Sequence, residues 1–368
     1  MPDVLGLRPH RLVTKRLNDT AKPAIIPAMT DPKPARRRSG TSYDVARRAG
    51  VSQSAVSRCF RVGGASVSPK TRALILAAAD ELGYRPNAIA QGLITRRSNL
   101  VAVIISNLTN LYYPEVLAEL TAKLSAQGIR VLLFTLAAES EIDEVLDQVW
   151  RYQVDGAIVA ARLSPVQMEA FRNQDIALVL YNRDGDGTPV ASVSCEFAAG
   201  ETLLIDGLVA AGCTSFGIIA GPPDSTVGEA HVRGACARLA LAGIEDVPID
   251  RGDFSYESGH AAAMRLLKAY DLDAIIAAND VMALGAMDAA RIDCGIAVPD
   301  ELSVVGYDGV APAKWRSYNL TTVRQPVGRM TEAAVSMLIE RIENPDLGAE
   351  RRLFSGDLVM GDSARLAP

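Results

Sequence analysis

The side chains best suited to chemistry stand in one short run, from Tyr43 through Asp44, Val45, Ala46, Arg47, Arg48, Ala49, Gly50, Val51 and Ser52 to Gln53, Ser54 and, past Val56 and Ser57, Arg58. Gln53 and Ser54 are short polar groups able to hydrogen-bond base edges, and Arg58 is long enough for guanine or phosphate. Ala46 is small where two helices would cross closely, and Gly50 suits a tight turn between them. Ser52 can begin the second helix, so that its first residues point into a major groove. The chemistry implied is non-covalent reading of DNA. Groups for covalent chemistry do not assemble. The histidines, His10, His231 and His260, have no metal-ligand spacing. The cysteines, Cys59, Cys195, Cys213, Cys236 and Cys294, are odd in number, lack a C-x-x-C and read as reduced core residues. No G-x-G-x-x-G opens a helix after the first expected strand, and neither a serine–histidine–aspartate set nor a carboxylate pair stands out. We therefore expect no enzyme, no metal and no cofactor.

Positioning those side chains requires a small helical domain. A first helix is expected from Thr41-Ser42 to Ala49, capped by Ser42 and stopped by Gly50. A second, capped by Ser52, runs from Gln53 to about Phe60. A third, capped by Ser68 and opened by Pro69, runs through Leu82 to Gly83. Val45, Ala49, Val51, Val56, Ile75, Ala79 and Leu82 fall where a mini-core needs them. Residues 1–38 show no period and read as a disordered basic extension, in which Arg36-Arg37-Arg38 is either a phosphate contact or a solvated tail and Met29 offers an alternative start. Residues 86–95 suit a short helix with little to pack against, marginal alone because isolated helices need ~12–15 residues.

The net charge of −5 hides an asymmetry: residues 1–99 carry +12 and the remainder −17. A basic head on an acidic body points to a polyanion as the head's partner. From Asn99 onward, apolar runs such as Leu100–Ile105, Val131–Thr135, Ala157–Val159, Ala177–Leu180, Phe216–Ala220, Ala274–Ala277 and Leu302–Gly306 alternate with amphipathic helices. Near-continuous apolar strands between helices mean parallel sheets covered on both faces. The strands are too many for one lobe, so two α/β lobes facing a ligand cleft are expected. The loop from Ser106 and Asn110 to Tyr112 and Tyr113 is polar and aromatic, a surface able to stack on a sugar ring and bond its hydroxyls. No apolar run reaches the ~18 residues of a membrane span, and residues 24–26 are too short a stretch for a secretory signal. A cytoplasmic location follows, which disfavours the alternative of a soluble sugar receptor without a DNA role.

Taken together, these residues resemble the LacI family of bacterial regulators. The similarity runs through Asp44-Val45-Ala46, Ala49-Gly50-Val51-Ser52, Val56-Ser57-Arg58, Val67-Ser68, Thr71-Arg72 and Leu82-Gly83-Tyr84-Arg85-Pro86-Asn87. It continues at Ala220-Gly221-Pro222, Ala278-Asn279-Asp280-Val281-Met282, Ser303-Val304-Val305-Gly306-Tyr307-Asp308 and Leu320-Thr321-Thr322-Val323-Arg324-Gln325-Pro326. It spans about residues 40 to 365 in order. The resemblance implies an all-α helix-turn-helix DNA-binding domain at 39–84, a hinge helix or linker at 85–97, and a two-lobed α/β sensor at 98–368 like the periplasmic binding proteins. The lobes are expected at roughly 98–193 with 306–325, and 194–305 with 326–368.

It further implies a homodimer, most simply a repressor, on double-stranded operator DNA, controlled by a small-molecule effector that is a carbohydrate or derivative. Expected DNA-binding residues are Ser42, Tyr43, Ser52, Gln53, Ser54, Ser57, Arg58, Asn87, Ala90 and Leu93, with Leu93 wedged into a minor groove, the usual way proteins kink DNA. Expected effector-binding residues are Ser106, Asn110, Tyr112, Tyr113, Asn182, Arg183, His231, Phe254 and Asp280. Asp280 opens a helix, where an acid can both cap and accept ligand hydroxyls. His231 departs from the arginine usual in the family, three residues before Gly234, with Arg183 and Arg233 as possible substitutes. The C-terminus carries no leucine heptad, so a dimer rather than a tetramer is expected.

Overall fold

The structure is a computed structural model that describes residues 40–60, 67–85 and 97–367, apart from 107, 109, 137, 138, 197 and 224. The chain forms two compact units, 1–86 and 87–368. The expected extension at 1–38 and most of the expected hinge lie outside the described residues.

In the first unit, α1 (Ser42–Ala49), α2 (Gln53–Cys59) and α3 (Pro69–Glu81) appear close to their expected places. One cap is corrected: Thr41, not Ser42, caps α1. The Thr41 hydroxyl accepts from Asp44 N–H at 3.3 Å while Asp44 Oδ2 accepts from Thr41 N–H at 3.0 Å. This reciprocal box needs an acceptor three residues after the cap, which Thr41 has and Ser42 lacks. Gly50 ends α1 at φ 67°, a left-handed conformation that glycine adopts without a Cβ penalty. Ser52 and Ser68 accept from Ala55 and Thr71 N–H, each at 3.2 Å. Val45, Ala46, Ala55, Val56, Cys59, Ile75, Ala78 and Ala79 form the core, with Ala49, Val51 and Leu82 packed at its rim. Each fully buried Val or Ile contributes about 1.5–3 kcal/mol, enough in aggregate to hold three short helices.

The second unit contains two six-stranded sheets. The first lobe starts with β1 (Leu100–Ser106), α4 (Tyr112–Ala126), β2 (Arg130–Leu136), α5 (Ile142–Arg151), β3 (Gly156–Ala160), α6 (Pro165–Asn173), β4 (Ala177–Tyr181) and β5 (Ala191–Glu196). The chain crosses to α7 (Ala198–Ala210), β6 (Phe216–Ala220), α8 (Thr226–Leu241), β7 (Ile249–Arg251), α9 (Tyr256–Ala269), β8 (Ala274–Ala277), α10 (Asp280–Asp288), β9 (Ser303–Asp308) and β10 (Thr321–Arg324). It returns for α11 (Val327–Glu343) and β11 (Arg351–Ser355), then crosses a third time to β12 (Asp357–Val359). Strand orders are β11-β5-β4-β3-β1-β2 and β12-β10-β9-β8-β6-β7, parallel throughout except where β12 runs against β10.

The expected partition of the lobes is therefore wrong at its C-terminal pieces. Residues 306–325 belong to the second lobe, where Thr321 pairs with Val305 and Ser303 with Ala274. Residues 327–355 belong to the first, where α11 packs on α4 and β11 pairs with β5. Hydrophobic period identifies a strand but carries no information on which of two similar sheets receives it.

Candidate DNA interface and effector cleft

The helix α2 turns Ala55, Val56 and Cys59 into the mini-core, which leaves Ser54, Ser57 and Arg58 exposed and Gln53 half-buried. Their local bonds are weak and replaceable. Gln53 Nε2 donates to Ser42 Oγ at 3.4 Å, Arg58 Nε to Ser54 O at 3.4 Å, and the hydroxyls of Ser52 and Ser54 lie 2.9 Å apart. Tyr43, on α1, is 72% exposed. Ser42, Tyr43, Ser52, Gln53, Ser54, Ser57 and Arg58 thus stand on one small domain and present polar groups outward. Asn87, Ala90 and Leu93 lie outside the described residues.

The second unit holds a cleft of about 640 Å³ between its lobes. It is built from strand carboxyl ends, where parallel sheets collect ligands: Ser106 at the end of β1, Asn182 and Arg183 after β4, Phe254 after β7, Asn279 after β8, Asp308 on β9 and Gln325 after β10. Eight of the nine expected effector residues line it: Ser106, Asn110, Tyr112, Tyr113, Asn182, Arg183, His231 and Phe254. Asn110 Oδ1 accepts from Tyr112 N–H at 3.0 Å and so starts α4. Arg183 Nη2 donates to Ser106 Oγ at 3.2 Å. Of the two suggested substitutes for the family's arginine, Arg183 lines the cleft, whereas Arg233 is exposed on α8 and does not.

Asp280 is the exception. Asn279, not Asp280, caps α10, accepting from Met282 N–H at 2.9 Å. That turns the Asp280 carboxylate into the lobe, fully buried, where it accepts from Val310 N–H at 2.8 Å and Thr322 Oγ1–H at 2.5 Å. It does not border the cleft; it ties down the turn that follows β9. Burial, reinforced by nearby Asp308, holds its pKa well above the ordinary carboxylate range despite those hydrogen bonds.

Asp308 and Gln325 occupy the floor instead. Gln325 Nε2 donates to Asp308 Oδ1 at 2.7 Å, and Asn182 Nδ2 donates to Gln325 Oε1 at 2.7 Å and to Tyr112 Oη at 3.1 Å. This chain of bonds joins the two lobes. Asp308 Oδ2 is buried without a hydrogen bond. A buried carboxyl oxygen left unbonded costs about 1–3 kcal/mol, so such a group asks for a polar partner: a donor when ionised, an acceptor when protonated. Burial pushes the Asp308 pKa up to about 7, opposed by the Gln325 hydrogen bond, the charge of His231 and the Asn110 amide. Asn182, Phe254 and Asp308 also hold φ of 49°, 69° and 109°. Left-handed backbone in residues other than glycine concentrates at ligand sites, where the surrounding structure over-determines it.

His231 forms part of the second lobe's wall. Its Nδ1 lies 2.8 Å from Glu201 Oε1, and its ring packs on Tyr307 with centroids 4.5 Å apart. Sequence reasoning missed Asp308, Gln325 and Glu201. For Asp308 a signal was present: an acid closing an apolar strand and followed by Gly309. Glu201 sits among apolar residues of α7 with no local pattern to betray its partner 30 positions away.

Among the described residues, no group of His, Cys, Asp and Glu gathers into a metal site, and no helix is long and apolar enough to cross a membrane. Outward side chains suited to base edges have no use in a free ligand receptor, and a cleft of strand ends has none in a simple DNA clamp. A chain carrying both is a ligand-responsive DNA-binding regulator. The chain belongs to the lacI family of bacterial regulatory proteins: residues 41–87 match that family's domain, and residues 205–364 match the periplasmic binding protein-like domain. The transcriptional regulator CelR of Thermobifida fusca is 30% identical over 339 residues, 89% of this chain and 99% of CelR. The Lac repressor dimer solved with operator and the anti-inducer ONPF is similar at a TM-score of 0.80 and 28% identity, covering 88% of this chain and 98% of that one. The structure of CelR with cellobiose follows at a TM-score of 0.66 and 29% identity, covering 88% and 99%.

Proposed function

We propose that the protein is a transcriptional repressor, active as a homodimer in the cytoplasm, whose hold on operator DNA is set by a sugar or sugar derivative bound between its lobes. It works by binding alone, without catalysis. Gln53, Ser54, Ser57 and Arg58 read base edges, helped by Ser42, Tyr43 and Ser52, while Asn87, Ala90 and Leu93 belong to the hinge. The observation that carries the effector reading is the floor of the cleft: a buried Asp308 oxygen lacking a donor, beside the aromatic walls of Tyr113 and Phe254. Hydroxyls of a sugar supply such donors and its ring faces suit such walls. The repressor and dimer readings draw support from the Lac repressor dimer on its operator, and the sugar from cellobiose in CelR. An effector that fits the closed cleft better than the open one shifts the balance of the two by its differential affinity.

The test is a titration of the purified protein against the DNA upstream of its own gene, at fixed salt, with and without a panel of neutral sugars and sugar acids. Saturable binding well above that to random DNA, shifted by one compound, supports the reading and gives the sign of control. Binding no tighter than to random DNA under every condition refutes it and leaves a soluble ligand receptor.

A further inference from the structure

We propose that Glu115 and Arg324 form an ionic clamp between the two lobes, which sets the balance of lobe arrangements and so the effector concentration at which the protein responds. The clamp is a property of the sensor itself; its consequence for the response rests on the effector reading above. Glu115 stands in the first turn of α4, in the first lobe, and Arg324 ends β10, in the second. Arg324 Nη2 donates to Glu115 Oε1 at 2.9 Å.

The arginine reaches across from a fixed base. Its backbone pairs with Asp308 of β9 on one side and with Asp357 of β12 on the other. Its stem lies against the turn after β9, where Gly309 holds φ 71° and a Cβ would stand 2.6 Å from Arg324 Cβ and Cγ. Gly356, where the chain passes from β11 to β12, also comes close: a Cβ there would lie 3.0 Å from Arg324 O. With backbone and stem held, the pair loses less side-chain freedom on forming than exposed ion pairs usually do.

The next residue repeats the grip. Gln325 Oε1 accepts from Asn182 Nδ2, and the same amide donates to Tyr112 Oη, three residues before Glu115 on α4. Arg324 and Gln325 thus hold the start of α4 at two points, directly through Glu115 and by way of Asn182 through Tyr112. Tyr112, Tyr113 and Gln325 line the cleft, whereas Glu115 and Arg324 do not. The ion pair can therefore act on an effector only through the placing of the lobes. A contact between lobes weighs on those arrangements that contain it and not on the others. Both side chains are partly exposed, so the pair is worth about two- to fivefold in such an equilibrium and is weakened by salt. That is enough to move a response and too little to lock the lobes.

The experiment measures the lobes directly, in full-length protein whose Cys236 and Cys294 are replaced by serine. Spin labels are attached through Asp147→Cys on α5 and Lys268→Cys on α9, both exposed and one on each lobe, and labelled protein is diluted with unlabelled. Pulsed dipolar spectroscopy then gives the distribution of lobe-to-lobe distances. Glu115→Gln and Arg324→Gln should each shift or broaden the wild-type distribution, and the double variant should do no more than either alone. The exchanged pair, Glu115→Arg with Arg324→Glu, should restore it. Sodium chloride at about 1 M, where the screening length falls to about 3 Å, should alter wild type in the same way and add nothing to Arg324→Gln. In parallel, cellobiose, glucose and gluconate are titrated against the operator complex. The compound that acts on wild type should reach half effect at a concentration shifted about two- to fivefold, in one direction, by both single variants. Distances unchanged in the single variants, or effects that simply add in the double one, overturn the clamp. Altered distances with an unchanged response to an acting compound overturn its part in regulation. Altered distances with none of the three compounds acting on wild type uphold the clamp and count against the sugar reading instead.

Discussion

Asp308 makes the folded chain sensitive to pH in a definite direction. An aspartate in the unfolded chain ionises near its ordinary value of 3.8, and burial moves that of Asp308 to about 7. Between those values the folded protein holds a proton that the unfolded chain has released, so stability falls as pH rises across the interval and levels off above it. Removing the charge should remove the part of the decline that belongs to Asp308. In thermal unfolding of the sensor unit, Asp308→Asn should match wild type near pH 4 and exceed it at pH 8, by at most about 4 kcal/mol. A variant no more stable than wild type at the higher pH would show that the carboxylate is better solvated than its burial indicates. Asp280 calls for a different test, because its carboxylate anchors Val310 and Thr322 and not the cleft. Asp280→Ala leaves two buried donors without their acceptor and should lower sensor stability by about 2–4 kcal/mol. Loss of the sugar response with unchanged unfolding would instead return Asp280 to the ligand site. These two acids also mark what the sequence reveals at this scale. An acid at the start of a helix and an acid at the end of a strand look equally suited to a ligand. Only the capture of the cap by Asn279 decides which one turns inward.

At the scale of elements, period carried far. The expected strand at 100–105 is β1, those at 216–220 and 274–277 are β6 and β8, and the three helices of the head hold to within a residue or two. The elements that escaped did so for physical reasons. The helix α7 is apolar nearly all round and carries Gly200 and Gly207, poor helix formers, β11 alternates as a half-exposed edge strand, and β5 buries serines among its apolar residues. Glycine also has opposite meanings in different helices. Gly259 on α9 faces α10 so closely that a Cβ would lie 2.4 Å from Met282 Cα, whereas a Cβ at Gly328 on α11 meets nothing within 4 Å. Gly259→Ala should force α9 and α10 apart and lower stability by about 1–3 kcal/mol, since backbone cannot yield as a side chain does. Gly328→Ala should raise stability by up to about 1 kcal/mol by restricting the unfolded chain. Differential scanning calorimetry on both variants separates the cases, and equal shifts would mean that close packing of the two helices is not what requires Gly259.

For the whole molecule, the division of charge and the division of labour coincide. Residues 1–99 carry +12 and the rest −17, so attraction to phosphate belongs to the head and linker while the sensor repels DNA. Phosphate attraction alone binds all sequences alike and weakens steeply with salt. On the proposed reading, specificity comes from base contacts at Gln53, Ser54 and Arg58 and from deformation of the duplex. An apolar wedge contributes to the second of these only where the duplex can be kinked, because unstacking a base step costs a few kcal/mol that only a well-seated complex recovers. Leu93 in the linker is the candidate wedge. Leu93→Ala should therefore weaken operator binding by about tenfold or more while leaving binding to random DNA, and its salt slope, nearly unchanged. Fluorescence anisotropy titrations of operator and scrambled duplexes over a series of salt concentrations measure both. A parallel loss on the two DNAs would make Leu93 a general support of the linker. A selective loss would tie operator recognition to deformation of the duplex and not to phosphate attraction alone.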